Sequence, residues 1–172
     1  MHLSKWFAAA IAAVALTASA AVPQSAQARG IVGFPGNYSA GTVVVKTGER
    51  SLYYVLGNGQ AMRYTVGVGR QGKQWSGTAM ITGKHLAPAW SPPADVKRDN
   101  PRLPAVIPGG SPRNPMGAAA LTLSAGEYAI HGTNVPGSIG GFVSYGCIRM
   151  YNADILDLYS RVSPGTTVVV TR

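Results

Sequence analysis

The chain carries a single cysteine, Cys147, inside "VSYGCIRMYN" (residues 143–152). Sixteen residues before it, in "AIHGT", stands His131; the other histidines are His2 and His85. A thiol is mostly protonated at neutral pH. An imidazole beside it can take that proton, support a thiolate, and later hand the proton to a leaving amine. Attack on a carbonyl also needs donors for the oxyanion that develops. Gly146 and Cys147 offer consecutive main-chain N–H groups, and glycine lets the backbone come close to a substrate. Arg149, two residues on, brings a fixed positive charge that suits a substrate carboxylate or a structural carbonyl. The bland alternative is a satisfied core histidine and an inert buried thiol, and spacing alone leaves both readings open. One cysteine and two nearby histidines without tight ligand spacing make a poor metal site, so no metal is expected.

For His131 and Cys147 to meet, the chain must turn back between them. His131 ends an expected strand, "GEYAIHG" (126–132), and the Gly-rich "NVPGSIGGFVS" (134–144) can supply the return. That strand pairs naturally with "AAALTL" (118–123) across a short turn near Ser124–Gly126. Further strands are expected at "TVVVK" (42–46), "SLYYVL" (51–56), "AMRYTVGVG" (61–69), "TAMITG" (78–83) and "TTVVVT" (166–171). Gly57-Asn58-Gly59 between two of these runs is a hairpin signal. One helix follows the cysteine by five residues. Asn152 can cap it, Asp154 sits near its positive end, and Ile155, Leu158, Tyr159 and Val162 fall on one face before Pro164-Gly165 stops it. The Pro-rich stretch from about 85 to 117 is expected as a long irregular loop, of the kind that often serves a site. The sum is a mainly β domain with one short helix after Cys147, built as a twisted β-sandwich or a partly closed barrel.

The first residues set the compartment. "MHLSK", the apolar "WFAAAIAAVALTASAAV" and the small-residue ending Ala26-Gln27-Ala28 have the build of a secretory signal peptide over 1–28. No stable membrane anchor is expected after cleavage, and the location is periplasmic or secreted. Residues 29–40 then form a lead-in and 41–172 a single domain. Without Lys5 the chain keeps fourteen Lys and Arg against six acids, a net charge near +8, which suits an anionic envelope surface. No nucleic-acid partner is expected, because the charges are scattered and no binding motif is present. Exported proteins usually pair their cysteines, so one left over points to a reactive thiol or a bond to another chain.

The residues taken together resemble the L,D-transpeptidase (YkuD) catalytic domain. The resemblance rests on "IHGT" (130–133), "SIG" (138–140) and "SYGCIRMYNAD" (144–154). It is supported by "GTAMITGKHLAPAWSPP" (77–93), "NPMG" (114–117) and the closing "GTTVVV" (165–170). It spans about 41–172 and implies the following roles. Cys147 is the nucleophile and His131 the general base, later the proton donor. The Gly132 carbonyl orients the imidazole, and Gly146 with Cys147 supplies the oxyanion donors. Ser144, Tyr145 and Arg149 shape the substrate pocket. The implied substrate is a peptidoglycan stem tetrapeptide: terminal D-alanine is expelled, and an amine of a second stem or of an envelope protein takes the acyl group. No cofactor is implied. Many members have His where this chain has Tyr145, and often Pro where it has Ala79; the first difference bears on substrate fit, the second on a turn. Two rivals remain: the same site with water as acceptor, an L,D-carboxypeptidase, and a non-catalytic wall-binding protein. A papain-like arrangement has the cysteine before the histidine, the reverse of the order here.

Overall fold

The computed structural model describes residues 29–172; the expected signal peptide, 1–28, lies outside them. Eleven strands and two α-helices follow in order. They are β1 (Gly30–Gly33), β2 (Val43–Lys46), β3 (Ser51–Gly57), β4 (Gln60–Thr65), β5 (Val68–Gly69), β6 (Gly77–Leu86), α1 (Ala94–Asp99), β7 (Ala119–Leu123), β8 (Ala129–His131), β9 (Phe142–Ser144), β10 (Ile148–Arg149), α2 (Asn152–Arg161) and β11 (Thr167–Thr171). Nine strands make one mixed sheet in the order β1-β4-β3-β2-β11-β6-β7-β8-β10, and β5 pairs with β9 in a second small sheet. The architecture is mainly β and sandwich-like, as expected, without a closed barrel among the described residues.

The sheet turns a corner at β6. The first residues of this strand, 77–80, pair antiparallel with β11. From Ile81 onward it pairs with β7, and the register slips between Ile81 and Gly83. One strand thereby serves both halves, which is how a strand passes between the layers of a sandwich. The β3–β4 hairpin closes on Asn58-Gly59, both at positive φ (51° and 70°), as a right-handed twisted hairpin with a two-residue turn demands.

β2 reads Val-Val-Val because apolar material covers both its faces. Val43 and Val45 join the main core with Leu52, Ile81, Leu121, Ile130 and Ile148. Val44 faces a second cluster with Phe34, Tyr53, Val55 and Ala61. Residues 29–40, expected only as a lead-in, contribute to this second layer: β1 pairs antiparallel with β4 and Phe34 stacks on Tyr53 at 4.5 Å. α2 closes the main core through Ile155 and Leu158, both fully buried. Burying each such side chain contributes roughly 1.5–3 kcal/mol.

Two local expectations are corrected. Asn152 does not cap α2. Tyr151 is the N-cap residue and no side chain bonds the first turn. The Asn152 amide is spent elsewhere: its Oδ1 accepts from the Ala118 and Thr133 N–H groups and its Nδ2 donates to the Thr133 carbonyl, each at 3.0 Å. Gly132 has no side chain because a Cβ there would collide with this Oδ1. The stretch 85–117 is not wholly irregular either: β6 runs to Leu86 and α1 forms within it.

Candidate active site

Strand register brings the chemistry together. β10 runs parallel to β8, with Arg149 beside His131 and Ile148 beside Ile130. Side chains alternate across a strand. Ile130 and Ile148 therefore point into the core, where both are buried, while His131 and Arg149 share the opposite face. Cys147, two residues before Arg149, belongs to that face too. All three line one cavity of about 70 Å³, with Trp90, Met116 and Ser144 among its other walls.

His131 is 4% exposed, and its Nδ1 lies 2.7 Å from the Gly132 carbonyl oxygen. A carbonyl only accepts, so Nδ1 carries the proton and Nε2 of the neutral ring is the free base. Burial holds this imidazole well below the usual histidine range, at about 4. The Arg149 charge adds to that effect, while the Gly132 and Pro115 carbonyls oppose it. Burial likewise pushes the Cys147 thiol up, against a main-chain hydrogen bond from Ala129 and the Arg149 charge. The resting groups are thus a thiol and a neutral imidazole, both uncharged.

The turn carrying Cys147 is stitched by its own residues. Ser144 Oγ donates to the Cys147 carbonyl at 2.6 Å and accepts the Gly146 N–H at 3.1 Å. The Gly146 N–H, expected as an oxyanion donor, is therefore engaged, because the Ser144 hydroxyl folds under the turn. The Cys147 N–H makes no hydrogen bond among the described residues. Gly146 sits at φ +126°, and a Cβ there would strike the Tyr128 ring. Trp75 stacks on Tyr128 (centroids 5.1 Å apart, 13° between planes) and its Nε1 donates to the Gly146 carbonyl at 2.9 Å.

Arg149 is half-buried by its neighbours and makes no salt bridge among the described residues; its Nε is buried without a partner. Several exposed charges nearby are engaged around α1. Asp99 accepts from Tyr145 Oη at 2.7 Å and from Arg70 at 2.9 Å, and the Arg70 guanidinium lies 4.0 Å over the Tyr145 ring. Asp95 pairs with Lys73 and Arg98. So Tyr145 lines the site with its ring and ties down α1 with its hydroxyl. Pro93 and Val96 at α1 line both the small cavity and a second one of about 370 Å³, walled also by Tyr128 and Glu127, and Cys147 opens onto both. Sequence reasoning placed Cys147, His131, Gly132, Ser144, Tyr145, Gly146 and Arg149, and the structure brings them together. Trp75 and α1 carry no such signal in the sequence; Tyr128, inside the expected strand 126–132, and Asn152, read as a helix cap, were not anticipated as residues that shape the site.

Comparison with known proteins agrees with this geometry. The L,D-transpeptidase catalytic domain (YkuD) profile matches residues 40–170, and the chain belongs to that family. It is 40% identical over 136 residues to the probable L,D-transpeptidase YcfS of Escherichia coli K12, covering 73% of this chain and 42% of that protein. It is 53% identical over 62 residues to the putative L,D-transpeptidase YkuD of Bacillus subtilis, covering 36% of this chain and 38% of that protein. The chain spans less than half the length of these relatives. In fold it is similar to an L,D-transpeptidase from Mycobacterium smegmatis (TM-score 0.60, 17% identity, 76% of this chain and 58% of that one). It is similar also to the catalytic domain of an Enterococcus faecium L,D-transpeptidase (TM-score 0.60, 17% identity, 79% of this chain and 100% of that one).

Proposed function

We propose that this protein is an L,D-transpeptidase acting on peptidoglycan stem tetrapeptides on the outer side of the cytoplasmic membrane. The observation that carries the reading is the cavity beside the paired β8 and β10, which gathers a neutral imidazole, a thiol and a guanidinium without a salt bridge among the described residues.

Each residue has a task. Cys147 Sγ attacks the carbonyl of the diamino-acid residue while its proton passes to His131 Nε2. The Gly132 carbonyl holds the ring through Nδ1 and leaves Nε2 as the base. The oxyanion takes the Cys147 N–H, since the Gly146 N–H is occupied by Ser144. Collapse breaks the peptide bond, His131 gives its proton to the departing D-alanine amine, and a thioester remains on Cys147. The Arg149 charge suits the D-alanine carboxylate. An amine of a second stem, or of an envelope protein, then attacks the thioester; His131 takes its proton and the thiol is restored. Water in place of the amine gives the L,D-carboxypeptidase, with the same residues in the same roles.

Incubation of the protein with a stem tetrapeptide, with and without an amine acceptor, tests this. The expected result is D-alanine release and an acceptor-dependent amide product. Release with hydrolysis alone, acceptor present, assigns the carboxypeptidase. No release from protein with a reduced Cys147 overturns the reading.

A further inference from the structure

Resting on the reading just given, we infer that Trp75 is a positioning residue that aims the oxyanion donor of Cys147 through the Gly146–Cys147 peptide. The Gly146 carbonyl and the Cys147 N–H belong to one planar trans peptide, so they point in opposite directions. Whatever fixes the carbonyl fixes the N–H. The Trp75 indole fixes it with a 2.9 Å hydrogen bond to that carbonyl.

Nothing else in the turn does this. Ser144 Oγ holds the Gly146 N–H and the Cys147 carbonyl, which lie on the two neighbouring peptides. The Gly146–Cys147 unit between them is flanked by a glycine at φ +126°, where no Cβ restricts the backbone. Left alone, that peptide can flip and turn a carbonyl toward the substrate in place of a donor. Trp75 is in turn held flat on Tyr128, whose ring also fills the space where a side chain at Gly146 would lie. The two aromatics thus clamp the peptide from the side, and donation into the carbonyl polarises the same amide whose N–H meets the oxyanion. Trp75 lies on the loop before β6, far from the Cys147 motif in sequence, and lines neither cavity that opens onto the thiol. Its effect on chemistry is therefore exerted through Gly146 and, by the stack, through Tyr128, which lines the larger cavity.

The test uses Trp75→Phe, which keeps the stack on Tyr128 and removes only the N–H. Two rates are measured on reduced protein. One is acylation by imipenem, whose β-lactam carbonyl passes through an oxyanion. The other is alkylation of Cys147 by iodoacetamide, a displacement that forms none. Acylation is expected to fall about tenfold or more, below the ~10²–10³ lost when a donor itself is deleted, with alkylation changed less than about twofold. Equal falls in both rates would mean a general effect on the thiol or the fold, and unchanged acylation would mean an idle hydrogen bond; either overturns the inference. Wild-type protein that is alkylated but never acylated overturns the proposed activity, and this inference with it.

Discussion

A buried neutral imidazole sharing a cavity with a partly buried thiol reacts differently from a preformed ion pair. The base form of His131 persists to about pH 4 because its charged form is desolvated and faces Arg149. The acid limb of Cys147 acylation is therefore expected near pH 4, well below the ordinary histidine midpoint of about 6.5. A limb near 6.5 in stopped-flow acylation would contradict the buried-base picture. Arg149 contributes the second-largest depression, so Arg149→Met should move that limb to higher pH. It should also weaken binding of carboxylate-bearing peptides roughly 10- to 100-fold, the worth of a charge-assisted hydrogen bond of ~1.5–3 kcal/mol. At this scale the sequence was informative in part: residue types raised Cys147 and His131 as a candidate pair, spacing alone left the inert reading open, and only the family resemblance chose between them. It could not show that the Gly146 N–H is spent on Ser144, because that depends on a rotamer. Nor could it find Trp75, whose partner is a backbone atom 71 positions away.

The elements show what local signals miss. β9 and β10 span only three and two residues, too short for any period to register, yet the pairing of β10 with β8 sets Cys147, just before β10, near the strand that carries His131. α1 lacks an apolar stripe and buries no residue; its sequence, "ADVKRD", sits between prolines and reads as loop. It stands because Asp95 and Asp99 are tied to Lys73, Arg70 and Tyr145. Exposed ties of this kind contribute little to global stability. Asp99→Ala is thus expected to leave the melting temperature nearly unchanged while speeding amide exchange across 94–103, and it should alter KM more than kcat. Unchanged exchange there would show that α1 is held by something else. Asn152 illustrates tertiary override: the residue type signals a cap, but its amide bridges the Ala118 and Thr133 backbone. Gly146→Ala should be far costlier than an ordinary surface change, since its φ and the Tyr128 ring both exclude a Cβ. Thermal melts and imipenem acylation of that variant read both effects.

Across the whole molecule, catalysis draws on fold stability. The depressed His131 is neutral when folded and protonates near 6.5 when unfolded, so the unfolded state binds more protons as pH drops. Stability from this group is complete above about 6.5 and is lost as pH falls toward 4, about 3 kcal/mol in all. Melting curves of wild type and His131→Gln between pH 7 and 4 should converge by about that amount; parallel curves would mean the ring is solvated. The strand pattern, hairpin and α2 face were legible because they follow periodicity and turn chemistry. The second layer under β2, built by β1 and Phe34, was not, because Gly30–Gly33 carries too little apolar content to announce a strand.

The central claim is that Cys147, served by His131, is an activated nucleophile. Intact mass of the protein after incubation with imipenem tests it most directly. The account predicts a single covalent adduct on the wild-type chain, much slower adduct formation in His131→Gln, and none in Cys147→Ala. A reduced wild-type protein that gains no mass, or a Cys147→Ala variant that gains the same adduct, would contradict it.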